Sequence, residues 1–196
     1  MLLSGEPGIG KSRLTAALLE RLASEPHTRL RYFCSPQHTD SAFYPIIGQM
    51  ERAAGLASDD TAQAKLDKLD AVLAQTSTAI QTAVLFAEMQ SLPNDGRYPV
   101  LDLSPEPRRQ RTFAALIAQV EALSQASPVP MIFEDAHWSD PTTLEVFSRV
   151  VDRVRQPSRA ASGDVPARVR STLDGTALCD VCFAQSAGRT RNRRHD

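Results

Sequence analysis

The sequence predicts an α/β fold with three layers, in which helices cover both faces of a parallel sheet, as one domain from residue 1 to residue 155. Three observations predict it. A short apolar segment at the N-terminus leads into a glycine-rich loop and a helix, and a second apolar segment ends in two acidic residues. Segments of helical period lie between them, as expected where parallel strands need crossover connections.

The N-terminal half begins with strand, loop and helix. Residues 1–4 are apolar, and residues 12–23 follow the glycine-rich loop with apolar side chains at helical spacing. Residues 29–34 alternate and are aromatic, which predicts a second strand closed by Ser35-Pro36. Three helices are predicted next, before the turn Pro93-Asn94-Asp95-Gly96. They span residues 43–54, 61–74 and 78–90, and the predicted buried side chains are Leu14, Ala17, Leu18 and Leu22 in the first helix of the chain and Leu66, Leu69, Val72 and Leu73 in 61–74.

The C-terminal half is predicted as helix, strand and helix. Ser104 offers a capping hydroxyl with proline at the first helical position, and the helical period continues to about Ala126. Residues 129–133 are continuously apolar, as in a buried parallel strand. Asp140-Pro141 begins a further helix. Its predicted buried side chains are Leu144, Val146, Phe147, Val150 and Val151.

The composition excludes several classes of protein. The chain has 196 residues, 42% of them hydrophobic, and a formal net charge of −1, so neither a nucleic-acid nor a membrane partner is expected. It has no apolar run of the roughly 18 residues that a membrane helix needs and no signal-peptide core, which favours a cytoplasmic protein. Cys34, Cys179 and Cys182 are too few and too uneven for a disulfide framework, and a lone CxxC does not complete a zinc site. We expect free thiols.

The segment 156–196 differs from the rest of the chain. Residues 1–155 contain 15 basic and 19 acidic residues, whereas 156–196 contains seven arginines, no lysine and four aspartates. It shows neither helical nor strand period. We therefore predict that this basic tail is disordered.

The segment Gly5-Glu6-Pro7-Gly8-Ile9-Gly10-Lys11-Ser12 matches the phosphate-binding pattern Gly-x-x-x-x-Gly-Lys-Ser. Its glycines let successive backbone N–H groups surround phosphates, while Lys11 reaches the β- and γ-phosphates and Ser12 ligates Mg²⁺. The sequence therefore predicts a site for ATP with Mg²⁺; the alternative is a glycine turn without a ligand. The residues predicted to contact the nucleotide are Gly5, Glu6, Pro7, Gly8, Ile9, Gly10, Lys11, Ser12 and Arg13.

Two carboxylates follow the second apolar strand. A magnesium–phosphate site needs acids at the C-terminal edge of a neighbouring strand, where Glu134 and Asp135 are found. We assign Glu134 to the Mg²⁺ shell through water and Asp135 to positioning the attacking water, and the two roles could be reversed. Alternatively, these acids only cap the following loop.

Two further groups of residues have open roles. His137 and Trp138 could face the nucleotide, but a lone histidine and tryptophan after a strand more often pack within the loop. Arg108, Arg109 and Arg111 crowd a helix start, where cations are unfavourable. They could contact phosphate or a partner, although a solvated face is the simpler interpretation.

Four segments together resemble the AAA-type, STAND-like signalling ATPase module of bacterial regulators. They are the glycine-rich loop with Arg13-Leu14, Tyr32-Phe33-Cys34-Ser35-Pro36, Phe43-Tyr44-Pro45, and Glu134-Asp135-Ala136-His137-Trp138-Ser139-Asp140-Pro141. The resemblance covers Met1 to about Arg155. It implies a P-loop NTPase fold of the ASCE type, with Glu134-Asp135 as the Walker B pair and glutamate where the wider superfamily usually has aspartate.

The resemblance also implies a function. Such modules act as nucleotide-driven switches with slow turnover, next to class III adenylate or guanylate cyclase domains, tetratricopeptide repeats or a LuxR-type DNA-binding domain. The expected partners are therefore the nucleotide and other domains of a larger regulator, which this sequence lacks. Direct nucleic-acid binding is not expected, because the basic excess is confined to the tail.

The chain departs from this family after residue 155. The resemblance implies a strand that inserts between the two motif-bearing strands, but the sequence continues Gln-Pro-Ser-Arg-Ala-Ala-Ser-Gly. We therefore predict a sheet that is incomplete on its C-terminal side, with unpaired strand edges. The residues from Arg155 onward can be back-translated with permissible codons so that the reading frame one base later encodes a family-like strand. This suggests a frameshift near Arg155. The alternatives are an ATP-binding switch fragment, a non-functional remnant and, ranked lowest, a small-molecule kinase.

Overall fold

The computed structural model of the chain describes residues 2–4, 10–24, 26–76, 78–155 and 178–184. These residues form four strands, six α-helices and two short 3₁₀ helices. The elements predicted within residues 1–155 are all present, with bounds that differ by at most two residues. The strands are β1 (Leu2–Ser4), β2 (Leu30–Phe33), β3 (Val129–Glu134) and β4 (Leu178–Ala184); the helices are α1 (Lys11–Leu22), α2 (Tyr44–Ala54), α3 (Ala62–Ala74), α4 (Ile80–Met89), α5 (Pro105–Ala126) and α6 (Pro141–Arg155); and the 3₁₀ helices are Pro36–His38 and Ala136–Trp138.

The sheet has the strand order β1-β4-β3-β2. β2 and β3 are parallel, with Leu30 opposite Met131 and Phe33 opposite Glu134. β4 runs antiparallel to both of its neighbours. The predicted parallel sheet is thus confirmed for β2 and β3, whereas the sheet as a whole is mixed.

β4 corrects the prediction made for the tail. Its residues pair with three residues of β1 and with five residues of β3, so the facing edges of these two strands are paired. The prediction of disorder is wrong for residues 178–184, and that of unpaired edges is wrong for β1 and β3. Residues 156–177 and 185–196 lie outside the described residues, and the frameshift near Arg155 stays a prediction.

The main core lies on one face of the sheet, beneath helices α2 to α6. Tyr32 of β2 stacks on Phe133 of β3 with ring centroids 4.8 Å apart, and Phe147 of α6 meets both rings edge-on. Ile132 points to the opposite face, where Leu18 and Leu19 of α1 pack against it. Helices therefore cover both faces, which agrees with the three predicted layers.

Helix α1 is buried differently from its prediction. Leu14 is 58% exposed and Ala17 is also exposed, whereas Thr15 is buried. The apolar stripe that begins at Leu14 is therefore only partly covered by the sheet. By contrast, Leu66, Leu69 and Leu73 of α3 are buried as predicted.

The outer edge of β2 is closed by side chains of α2. The backbone N–H of Arg31 donates to Oε1 of Gln49 at 2.8 Å, and Nη2 of Arg52 donates to the carbonyl oxygen of Arg31 at 2.7 Å. The Arg52 guanidinium also lies 4.9 Å from the centroid of the Phe33 ring. An amide and a guanidinium thus replace the hydrogen bonds that a further strand would make.

Candidate functional site

The backbone conformation before α1 explains why the residue at position 10 is a glycine. Gly10 precedes the helix with φ 98° and ψ 15°, a left-handed conformation that side-chain-bearing residues rarely adopt. A Cβ at this position would meet no atom within 4 Å, so the backbone conformation and not space requires glycine. Ser12 and Arg13 are exposed just beyond it. Gly5, Glu6, Pro7, Gly8 and Ile9 lie outside the described residues, as does the Lys11 side chain, so their predicted contacts stay predictions.

The end of β3 presents the two acids. The backbone N–H of Cys34 donates to the carbonyl oxygen of Glu134 at 3.1 Å, which extends the β2–β3 ladder to this point. Asp135 then turns the chain with φ 56° and ψ 40°, a region that aspartate tolerates better than most residues. Its exposed side chain makes no capping hydrogen bond to the 3₁₀ helix that follows. The interpretation of Asp135 as a loop cap is therefore wrong.

One cavity joins the two motifs. It has a volume of about 480 Å³ and is lined by Ser12 of α1 together with Glu134 and Asp135. Arg29 and Arg31 of the β2 segment line its other wall. Residues more than 120 positions apart in the sequence thus face the same space, as expected of a phosphate loop and a Walker B strand.

The donors in this cavity fit Mg²⁺ held jointly with phosphate. Mg²⁺ prefers oxygen ligands and is usually bound through one or two carboxylates and the phosphates of the substrate. The Ser12 hydroxyl and the two carboxylates supply such oxygens. Among the described residues, no group of three His, Cys, Asp or Glu side chains could hold a metal ion alone. The predicted role of Ser12 and Glu134 therefore depends on a phosphate partner.

Glu134 also has a protein partner, which the sequence reasoning missed. Its Oε1 accepts from Nε of Arg31, and these two side chains are 24% and 44% exposed. The signal was present in the strand pattern, because alternation places Arg29, Arg31 and Phe33 on one face of β2. Parallel pairing with β3 then brings that face beside Glu134.

A buried thiol lies behind the acids. Cys34 follows β2, is buried and forms no disulfide, which confirms the expected free thiol at this position. Burial raises the pKa of the Cys34 thiol to about 11, so the thiol is neutral at physiological pH. The side chains of Cys179 and Cys182 lie outside the described residues.

Asp140 fixes the segment that follows the acids. It is 2% exposed and caps α6, because its Oδ1 accepts from the backbone N–H of Thr143 at 2.8 Å and its Oδ2 accepts from the Thr143 hydroxyl. Both side chains are buried. The loop from Asp135 to α6 is therefore anchored at its far end by a carboxylate with partners for both oxygens.

The residues with open roles are placed as follows. His137 and Trp138 are both exposed, and neither lines the cavity of the described residues. Their ring centroids are 4.7 Å apart, so the two side chains contact each other within the loop, which agrees with the favoured interpretation. Arg108 pairs with Glu88 at 2.9 Å and also donates to two carbonyl oxygens, while Arg109 pairs with Glu145. These two arginines are thus held within the chain. Arg111 is exposed, which fits the solvated face.

Comparisons with known proteins place these motifs in a family. No helix of the described segments is long and apolar enough to cross a membrane. An uncharacterized protein of Rhizobium meliloti (strain 1021) is 28% identical over 150 residues, which make up 75% of this chain and 14% of that protein. The chain thus spans a small part of that relative's length. No solved structure matches.

The family model described as an AAA ATPase domain matches residues 1–161. Both motifs of the shared cavity fall inside the matched range. The match covers well over half of the chain and extends six residues past the boundary predicted at Arg155. The chain belongs to the AAA ATPase domain family.

Proposed function

We propose that this chain binds ATP with Mg²⁺ and hydrolyses it slowly, as the switch module of a bacterial signalling or transcription regulator. The observation that carries the proposal is the cavity shared by Ser12, Glu134 and Asp135. Its volume of about 480 Å³ lies within the range of small-molecule sites. Proteins of this family generally use ATP and Mg²⁺.

The proposed roles follow from the position of each group. The backbone N–H groups of the loop from Gly5 to Gly10 hold the phosphates, and the ammonium group of Lys11 neutralises the β- and γ-phosphates. Ser12 and Glu134 hold Mg²⁺, Glu134 through a water molecule. Asp135 orients the attacking water from its exposed position beside the cavity. Bound Mg²⁺ would stabilise the charge that develops on the phosphate oxygens.

The regulatory context rests on resemblance and on chain length. The matched relative is about seven times longer than the matched segment, since 150 residues are 14% of it. A module of this size inside a longer chain fits a switch that acts on attached domains. We propose a cyclase domain, tetratricopeptide repeats or a LuxR-type domain as the partner domains of such a regulator.

A non-functional remnant is the second candidate. The direction of β4 favours it, because β4 runs antiparallel to β1 and β3. An inserted strand of a parallel sheet would run the other way. The basic composition of residues 156–196 also differs from that of residues 1–155.

Equilibrium binding of a fluorescent ATP analogue with Mg²⁺ separates these candidates. We expect saturable binding by the wild-type chain and a loss of about tenfold or more in Lys11→Ala, because a charge-assisted contact contributes ~1.5–3 kcal/mol. Lys65→Ala is the matched control, since Lys65 lies on α3 and does not line the cavity. Absence of binding by all three proteins would establish the remnant. Slow phosphate release that is lost in Asp135→Asn would support hydrolysis.

A further inference from the structure

The wall of the cavity opposite α1 is basic. Arg29 and Arg31 both line it, from the same face of the β2 segment. Arg31 pairs with Glu134, whereas no described residue forms an ion pair with Arg29. Of these two arginines of equal charge in the same cavity, Arg31 is the one that contacts the acid assigned to Mg²⁺.

Arg31 is held in place by more than this ion pair. Its backbone N–H donates to Gln49 at 2.8 Å, and its carbonyl oxygen accepts from Arg52 at 2.7 Å. Its guanidinium carbon lies 4.6 Å from the centroid of the Phe33 ring, in cation–π range. The hydrogen bonds hold the Arg31 backbone, and the Phe33 ring supports its side chain. The guanidinium is therefore preorganised beside Glu134.

We propose that Arg31 is a positioning residue that holds the Glu134 carboxylate in the nucleotide-free protein and must release it when Mg²⁺ arrives with the nucleotide. The inference rests on the proposed function of the site. The oxygen that accepts from Arg31 is one of the two that Glu134 can offer to the metal shell, directly or through water. Metal and guanidinium therefore compete for the same group.

The exposure of the pair sets the size of this competition. Because the Arg31 and Glu134 side chains are 44% and 24% exposed, solvent screens their attraction. Exposed pairs of this kind change an equilibrium constant by about fivefold at most. Arg31 thus lowers the affinity of Glu134 for the metal by a small factor. Once released, its guanidinium remains in the wall of the cavity, where it can contact phosphate oxygens.

The first test compares nucleotide affinity with Mg²⁺ and with EDTA. The quantity measured is the dissociation constant of a fluorescent ATP analogue in EDTA divided by its dissociation constant with Mg²⁺. In Arg31→Met we expect the gain from Mg²⁺ to rise by about two- to fivefold relative to wild type. Arg29→Met, which removes the same charge from the same wall without freeing Glu134, should leave the ratio unchanged. An unchanged or smaller ratio in Arg31→Met would overturn the proposal.

The second test does not depend on the nucleotide. Trp138 is the single tryptophan of the chain, lies three residues after Asp135 and is 40% exposed, so its fluorescence reports a paramagnetic ion near the acids. Titration with Mn²⁺ in the presence of excess inorganic pyrophosphate, which supplies the phosphate oxygens that the site needs, should quench it at about two- to fivefold lower concentration in Arg31→Met than in wild type. The double variant Arg31→Met/Glu134→Gln should lose this gain in Mn²⁺ sensitivity, because the carboxylate that Arg31→Met frees is then absent. Equal quenching curves, or none, would contradict the proposal.

One control variant and the combined outcome of the two tests separate the possible failures. Arg31→Lys keeps the charge without the planar guanidinium, and we expect intermediate values if Arg31→Met is folded by circular dichroism. If Arg31→Met is unfolded, the Lys variant decides between competition and no effect. Failure of the wild-type chain to bind nucleotide, together with tighter Mn²⁺ binding in the variant, would reject the proposed function and keep the role of Arg31.

Discussion

A single buried carboxylate holds the segment between the two acids of the site and helix α6. Asp140 is 2% exposed and accepts from both the backbone N–H and the hydroxyl of Thr143. Removal of one partner from such a buried group leaves the other unsatisfied. The stability of the loop that begins at Asp135 therefore depends on a residue outside the cavity.

Asp140→Ala should lower the free energy of unfolding by about 1–3 kcal/mol, because it removes the cap of α6 and leaves the Thr143 groups without partners. Asp140→Asn retains one carbonyl oxygen as acceptor and should lose less. Urea unfolding followed by circular dichroism measures both. Asp152→Ala, an exposed aspartate of the same helix, serves as control. Equal midpoints for Asp140→Ala and Asp152→Ala would contradict this role.

Cys34 should resist alkylation in the native protein. Burial raises the pKa of its thiol to about 11, so little reactive thiolate forms at pH 8. We expect iodoacetamide to modify the Cys34 peptide much faster in urea than in buffer, as measured by mass spectrometry. Similar rates in both would show that the thiol is accessible.

The same pKa shift predicts a pH dependence of stability. The folded thiol keeps its proton up to about pH 11, while the unfolded thiol loses it near its ordinary pKa of 9.0. The contribution of Cys34 is therefore full below pH 9 and is lost as the pH rises towards 11. The difference in unfolding free energy between wild type and Cys34→Ala should shrink across this window. A constant difference would exclude the linkage.

At the level of elements, the pairing of α2 with β2 decides how the sheet ends. β2 is the outer strand, and its residue Arg31 has hydrogen-bond partners on α2 for both backbone groups. Side chains that occupy an edge remove the template on which a foreign strand could pair. Helix α2 thus closes the sheet as well as covering its core.

The double variant Gln49→Ala/Arg52→Ala should be less stable by about 1–3 kcal/mol, because two backbone hydrogen bonds are lost. It should also associate more readily, since the edge of β2 becomes available to another chain. Thermal unfolding and size-exclusion chromatography measure the two effects. Glu51→Ala, an exposed neighbour on α2, is the control and should behave as wild type in both measurements. A monomeric, fully stable double variant would exclude the closure of the edge by α2.

At the level of the whole molecule, β4 connects the two motif-bearing strands. β1 precedes the glycine-rich segment and β3 carries Glu134, yet the two strands do not pair with each other. Both pair with β4. The relative position of the loop and the acids therefore depends on seven residues near the end of the chain.

Val181→Pro should separate the two strands. Val181 pairs with Ile132 in the interior of the sheet, where proline removes a donor and does not fit. We expect loss of the shared cavity and, with it, faster hydrogen exchange at residues 129–134. Mass spectrometry measures that exchange. Val181→Thr keeps the backbone donor and the β-branched shape, so its exchange should match wild type. Unchanged protection in the proline variant would contradict the pairing.

The sequence predicted the elements well where their signal is local. Apolar spacing within one helix identified α3 with its buried residues Leu66, Leu69 and Leu73, because the stripe needs no knowledge of distant residues. The prediction that Leu14 is buried was wrong, because the neighbouring elements decide which side of a helix is covered. β4 was missed for the same reason. Its seven residues, largely apolar, become a strand through partners at residues 2–4 and 129–133.

The candidate site shows the same division. The types and spacing of Ser12, Glu134 and Asp135 predicted that they share one location, and the structure places them around one cavity. Arg31 was missed because its role comes from strand pairing and not from a motif. The contacts of Lys11 stay predictions.

The position of β4 in the chain also determines when the sheet can close during synthesis. Residues 30–155 contain β2, β3 and the helices α2 to α6, whose contacts are mostly made within that range. β1 must wait for residues 178–180, which are synthesised after all of the residues that form the main core. A nascent chain can therefore bury its main core while the strand before the glycine-rich segment is still unpaired. The proposed nucleotide site could therefore form only after β4 has joined the sheet.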